Sequence, residues 1–294
     1  MTDYVKYHGL GNDYLVLEPR GFREGLTPQR IRLICDRHRG VGGDGILWGP
    51  LPPAPGADAA LRIFNPDGSE AGKSGNGLRI FARHLWQSGQ APGRSLRIDT
   101  PGGRVTARIL DEHGRRVSVD MGQVRFTRAA VPMTAAREGD DPSTETLGLE
   151  LSVGGRTLKV NGAGIGNPHC VVLADDPSEA LARETGPLIE SHAWFPERTN
   201  VQFMQTLGTH DIRIEIWERG AGYTSASGSS SCAAAAVACR LGLCRSPVTV
   251  HMPGGTLSVA LDEAFQATLE GAVAAVGSGT FDDEFLRLLG MTRA

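Results

Sequence analysis

Along the chain the period of the apolar positions changes often, and the stretches it marks are short. Alternating or near-continuous apolar runs bounded by Gly, Pro, Asn or Asp predict strands in "YLVLEP", "GILWG", "LRIFN", "SLRIDT", "RVTARIL", "RVSVDMG", "HCVVLAD", "NVQFMQ", "IRIEIWERG" and "PVTVHMPG". Helical spacing predicts fewer elements, over 28–37, 76–88, about 177–184, 229–242 and 281–290. Short strands with scattered helices make an α+β fold. Segments 49–60 and 134–148 read as an inter-strand loop and a polar surface insertion. The run "SSSCAAAAVACRLG" is apolar nearly all round, which predicts a helix buried inside its domain, with Gly242 as its C-cap signal.

The pattern repeats. "GLGNDYLVLEP" from Gly9 returns as "GIGNPHCVVLAD" from Gly164, and "RIFNPDGSEAGKSGNG" returns in outline as "EIWERGAGYTSASGSS". The pairing aligns Asn12 with Asn167, Asn65 with Glu218, and Ser74 with Ser227. Two similar halves follow, expected at 1–128, with 277–294 packing back on it, and at 129–276. In each half a strand hands over to a helix at Ser-Gly, and the free N–H groups of such a helix start attract anions. If the halves face each other, two helix starts converge on one cleft about a pseudo-two-fold axis. Such a site suits a reaction that is nearly the same from both faces, inversion at one carbon. The helix starts would stabilise the carboxylate of an amino acid, while one group removes the α-proton and another returns it on the opposite side.

Ser74 and Ser227 stand at those two places. A thiol at a helix start ionises near neutral pH, whereas a serine hydroxyl acts only when an adjacent base takes its proton. Serine is also the commonest N-cap, so each reads either as a cap or as an active-site group. Asn12 and Asn167 read either as turn residues tolerant of left-handed geometry or as ligand contacts, and His8 and His169 beside them as groups that orient backbone. Lys73 offers a Ser-Lys pair, against the commoner reading of a solvated lysine. "GKS" is not a phosphate-binding loop, because that motif needs Gly where the chain has Asp67.

Composition narrows the ligand. Of 294 residues, 40% are apolar and 21% charged, with a net charge of −3, which fits a soluble globular protein with a small-molecule ligand and speaks against nucleic acid or membrane as partner. Neither a secretory signal nor an apolar run of membrane-spanning length is seen, so a cytoplasmic location is expected. The five cysteines (Cys35, Cys170, Cys232, Cys239, Cys244) show no C-x-x-C spacing and read as buried thiols. Cys35 and His38 lack a second ligand pair, so no metal site is expected.

"YHGLGNDY", "DRHRGVGGDG", "FNPDGSE", "SGNGLRIFAR", "GIGNPHCVV", "FPERTNVQF" and "ERGAGYTSASGSSSCAA" together resemble the diaminopimelate epimerase family over nearly the whole chain. The resemblance implies two pseudo-symmetric domains, each a β-barrel-like sheet around a central helix, with the ligand cleft between them. It implies inversion of LL- to meso-2,6-diaminopimelate in lysine biosynthesis without pyridoxal phosphate, metal or other cofactor, by an enzyme for which a homodimer is plausible. It places substrate-binding asparagines at Asn12, Asn65, Asn76, Asn167 and Asn200, and the grip on the distal amino and carboxylate groups at Glu218 and Arg219. Gly75-Asn76 and Gly228-Ser229 match the backbone cradles for the α-carboxylate. Ser74 and Ser227 fall where the family has its two catalytic cysteines, and Tyr223 where it commonly has Glu. Two alternatives stay open: an isomerase or lyase for a different amino-acid-like substrate, and a non-catalytic amino-acid-binding relative.

Overall fold

The computed structural model describes residues 3–134 and 141–294. The chain forms two compact units, Met1–Val119 with Gly271–Ala294, and Asp120–Glu270. In the first unit, strand Tyr4–Gly9 pairs antiparallel with Ala274–Gly279 on one side and with Asn12–Leu17 on the other. Asn12–Leu17 continues parallel to Ile46–Leu51, which pairs antiparallel with Ala59–Phe64. Ala59–Phe64 lies parallel to Ser95–Thr100, and Gly103–Ile109 and Arg116–Gln123 complete an antiparallel meander.

The second unit repeats this ladder strand for strand. Leu149–Val153, Arg156–Gly164, Pro168–Leu173, Asn200–Gly208, Asp211–Glu218, Val248–Met252, Gly255–Leu261 and Gln266–Ala272 follow in the same order. The parallel steps again fall between its third and fourth and its fifth and sixth strands. In both ladders a two- or three-residue strand, Glu70–Ala71 or Gly222–Thr224, turns back on the strand before it. The parallel steps require crossovers, and helices make them: α1 (Pro28–Cys35) and α2 (Gly75–Gln87) in the first unit, α3 (Glu179–Glu190) and α4 (Gly228–Arg240) in the second. A fifth helix, α5 (Asp283–Leu289), packs with α1 on Leu15, Leu17, Trp48 and Phe64.

Each sheet curls around its second crossover helix. α2 is buried from Gly75 through Leu85, and α4 is buried from Ser230 through Ala238, its small Ser, Cys and Ala side chains letting strands approach on every side. Gly242 ends α4 with φ +72°, a left-handed value that favours glycine. The expected α+β architecture of two pseudo-symmetric domains around central helices is therefore present.

All five predicted helices form, with one change of length. α3 runs on to Glu190 although Pro187 lies inside it, because Ala182, Thr185 and Ile189 bury a continuous face and Gly186 sits against Trp217, where a Cβ would come within 2.6 Å of the indole. The Asn161–Gly164 end of strand Arg156–Gly164 and strand Ala274–Gly279 escape the sequence pattern, since Gly, Ala and Asn or Ser give them little apolar alternation. Of the expected surface insertion 134–148, residues 135–140 lie outside the described residues. Its end is not surface: Thr146 is fully buried, its hydroxyl donating to the Phe126 carbonyl at 2.7 Å. Among the described residues no helix is long and apolar enough to cross a membrane.

Candidate functional site

The register gathers the candidate residues at one end of each sheet. In the second unit, His169 pairs with Asn200 and Val201 with Trp217, so Asn167, Asn200 and Glu218 reach the same end, where α4 begins. In the first unit, Leu15 pairs with Ile46 and Ile46 with Phe64, which brings Asn12 and Asn65 to the end where α2 begins.

In the first unit Ser74 is the N-cap of α2. Its backbone is extended, and its Oγ accepts the Gly77 N–H at 3.0 Å while lying 3.2 Å from the Tyr14 hydroxyl. Asn76 donates to Asn12 Oδ1 at 3.2 Å, and Asn12 donates to Asp44 Oδ2 at 3.1 Å. Arg79, fully buried, donates to Asn76 Oδ1 and to the Gly75 carbonyl. Asp44 also accepts the Asp13 N–H and an Arg37 N–H, and Asp13 receives Arg37 and Lys6. Burial opposes ionisation of Asp13, but the bonds and charges of Arg37 and Lys6 bring its carboxyl down to about 2. Asn65 is engaged on its own turn, donating to Ser69 Oγ at 2.9 Å. Lys73 is exposed, whereas Ser74 Oγ faces the Gly77 N–H and the Tyr14 hydroxyl, so the geometry gives no Ser-Lys pair. His8 Nδ1 accepts the Gly11 N–H at 3.2 Å, orienting the turn before Asn12.

The second unit uses its serine differently. Ser227 is the N-cap of α4, yet its side chain makes no capping bond; it stands beside the Glu218 carboxyl instead and favours that group's ionised form. Burial pushes the Glu218 carboxyl above the usual range, and the Ser227 bond draws it partly back. Asn167 Oδ1 lies 3.0 Å from His169 Nε2, and Gln202 donates to His169 Nδ1 at 3.1 Å and to Ser230 Oγ at 3.0 Å, so Nε2 is the protonated nitrogen. Burial holds His169 down at about 3, which makes it a neutral orienting group rather than a proton carrier. Asn200 donates to the Pro168 carbonyl at 2.8 Å and accepts the Arg219 N–H at 3.0 Å, while the exposed Arg219 guanidinium donates to the Glu197 carbonyl. Gly228 and Ser229 open α4 directly after Ser227. Tyr223 turns its hydroxyl to Glu215 at 2.7 Å and carries Arg183 over its ring, so it is engaged with the α3 face of the sheet.

Cys35 and Cys170 are buried, and desolvation pushes both thiols up to about 12, Asp13 and Asp44 adding to the effect at Cys35. Several organising residues escape sequence reading: Tyr14, Asp44, Arg79, Glu190 and Gln202. Their signal is a polar residue inside an apolar run, as Gln202 in "NVQFMQ", which marks a buried polar group that needs a partner.

The sequence model described as diaminopimelate epimerase matches residues 4–127 and 162–276. The chain is 48% identical to diaminopimelate epimerase 2 of Nostoc sp., covering 97% of each chain, and 38% identical to the diaminopimelate epimerase of Pelotomaculum thermopropionicum, covering 95% of this chain and 98% of the relative. Among solved structures, a probable proline racemase from Agrobacterium radiobacter is similar with a TM-score of 0.65 at 17% identity, covering 96% of this chain and 93% of that one. A hydroxyproline epimerase from Agrobacterium vitis gives 0.64 at 17% identity, covering 96% and 92%. The fold is thus shared with racemases and epimerases, and the chain itself belongs to the diaminopimelate epimerase family.

Proposed function

We propose that the protein inverts LL-2,6-diaminopimelate to the meso form by proton transfer between two groups, Ser227 and Ser74, without pyridoxal phosphate. The observation that carries this reading is the placement of Ser227, the uncapped start of α4, beside the Glu218 carboxyl that ends strand Asp211–Glu218. A serine becomes a usable base when a neighbour accepts its proton, and a carboxylate raised toward neutrality by burial is such a neighbour. In the deprotonation step Ser227 Oγ takes the α-proton as its own proton passes to Glu218. The released electron pair spreads into the α-carboxylate, and the N–H groups opening α2 and α4, at Gly75-Asn76 and Gly228-Ser229, stabilise the added charge. The family resemblance assigns the substrate's amino and carboxylate groups to Asn12, Asn65, Asn76, Asn167, Asn200, Glu218 and Arg219. A carboxylate has two oxygens, so a proton relay with Ser227 is compatible with Glu218 also receiving a substrate ammonium.

The test is incubation with LL-diaminopimelate in deuterated water. Deuterium at the α-carbon and appearance of the meso isomer are expected. Absence of exchange at high enzyme concentration overturns the reading, and activity gained only in the S74C/S227C double variant would mark the present chain as a binding shell.

A further inference from the structure

The Ser227 half has its proton acceptor in Glu218; the Ser74 half needs a partner of its own, and resting on the reading above, the geometry points to Tyr14 as a positioning residue that acts through Ser74. Tyr14 stands on strand Asn12–Leu17, is 6% exposed, and its hydroxyl lies 3.2 Å from Ser74 Oγ. Space for the ring comes from Gly45: a Cβ there would lie 2.6 Å from Tyr14 Cε1 and 2.5 Å from the Phe64 carbonyl oxygen. Gly77 likewise lets its N–H come within 3.0 Å of Ser74 Oγ, where a side chain would crowd the hydroxyl at 3.2 Å.

The hydrogen-bond arithmetic gives this arrangement a direction. A serine hydroxyl has one proton and two lone pairs. With Gly77 N–H on one lone pair and the Tyr14 O–H on the other, both acceptor sites of Ser74 are filled, and its proton is the group it has left to give. When the phenol is ionised, Ser74 donates to the phenolate instead, and a lone pair is freed to accept a proton. A phenol ionises near 10 and can exchange a proton with solvent far more readily than an aliphatic alcohol. In the return step the Ser74 O–H bond breaks as the α-carbon takes the proton. The Tyr14 O–H bond breaks as its proton replaces the one lost from Oγ, and the phenolate recovers a proton from water after product leaves. No electron changes hands with any other group.

A buried tyrosine also seeks a hydrogen-bond partner for purely structural reasons, so the test compares two backgrounds. Epimerisation and α-deuterium exchange are measured for the full-length wild type, Y14F, S74C and Y14F/S74C, each checked by circular dichroism. Y14F is expected to lower kcat by about 100-fold or more in the serine background, with KM changed by less than about threefold. In the S74C background, where a thiol supplies its own proton, Y14F is expected to cost less than about threefold. Equal losses in both backgrounds, or a Y14F enzyme as fast as wild type, overturn the inference. Should S74C be inactive, the pH profile of kcat decides: an alkaline limb abolished by Y14F supports the role of Tyr14, and an unchanged profile overturns it. A wild type that exchanges no deuterium removes the proposed function together with this inference, whereas an active wild type with an equally active Y14F removes the inference alone.

Discussion

Ser74 spends its hydroxyl on its own helix, whereas Ser227 caps nothing and stands beside a carboxylate. Loss of a capping side chain costs about 1 kcal/mol, so S74A should lower unfolding free energy in urea by about that amount, while the N–H groups of α4 lose no cap in S227A. Two carboxylates near these serines titrate in opposite senses. Burial keeps the folded-state pKa of Glu218 above its unfolded value. The native protein therefore holds that proton more tightly than the unfolded chain, and stability declines as pH rises through the raised value. In urea titrations E218Q should gain on wild type as pH rises above about 4, the unfolded carboxylate range, while epimerase activity falls. Asp13, held at about 2, contributes stability that is complete above the unfolded range near 4 and lost as pH falls from there toward 2. D13N should flatten that acid limb. The positions of Ser74 and Ser227 were legible in the sequence because they repeat; their partners were not, since Tyr14 and Glu218 meet them only through sheet register.

At the scale of elements, one buried carboxylate organises the turn that carries Glu218 and Arg219. Glu190, at the end of α3, accepts the Trp217 indole N–H at 2.7 Å and the Gly220 N–H at 2.8 Å, and pairs with Arg198, which leads into strand Asn200–Gly208. E190A leaves those donors without an acceptor and should cost about 2 kcal/mol. Hydrogen exchange should show it as lost protection at residues 217–221 before the rest of the sheet. Helices were the readable part of the fold because caps and apolar spacing are local signals, as at Thr27, Ser178 and Asp282, each of which accepts an N–H of its first turn. Strand Ala274–Gly279 was not readable, since "AAVGSG" becomes a strand through its partner Tyr4–Gly9 and not through its own side chains.

At the scale of the whole molecule, the duplicated ladder was visible as repeated motifs, but its first unit is closed by residues that the repeats do not mark. Phe281, Leu286, Leu289 and Met291 bury themselves against Phe22, Trp48 and the α1 side chains Ile31 and Ile34. Deleting residues 281–294 should destabilise the first unit by about 5 kcal/mol or more, read as lost hydrogen-exchange protection in strands 12–17 and 46–51. The chain leaves this unit after Val119 and re-enters it at Gly271. On the ribosome, this itinerary reverses the usual order of maturation. The half synthesised second has all its strands before the first can close, so nascent Tyr4–Gly9 waits with an open edge until Ala274–Gly279 has been made. A chaperone that shields early-emerging strands would therefore matter more to this protein's yield than one acting after release.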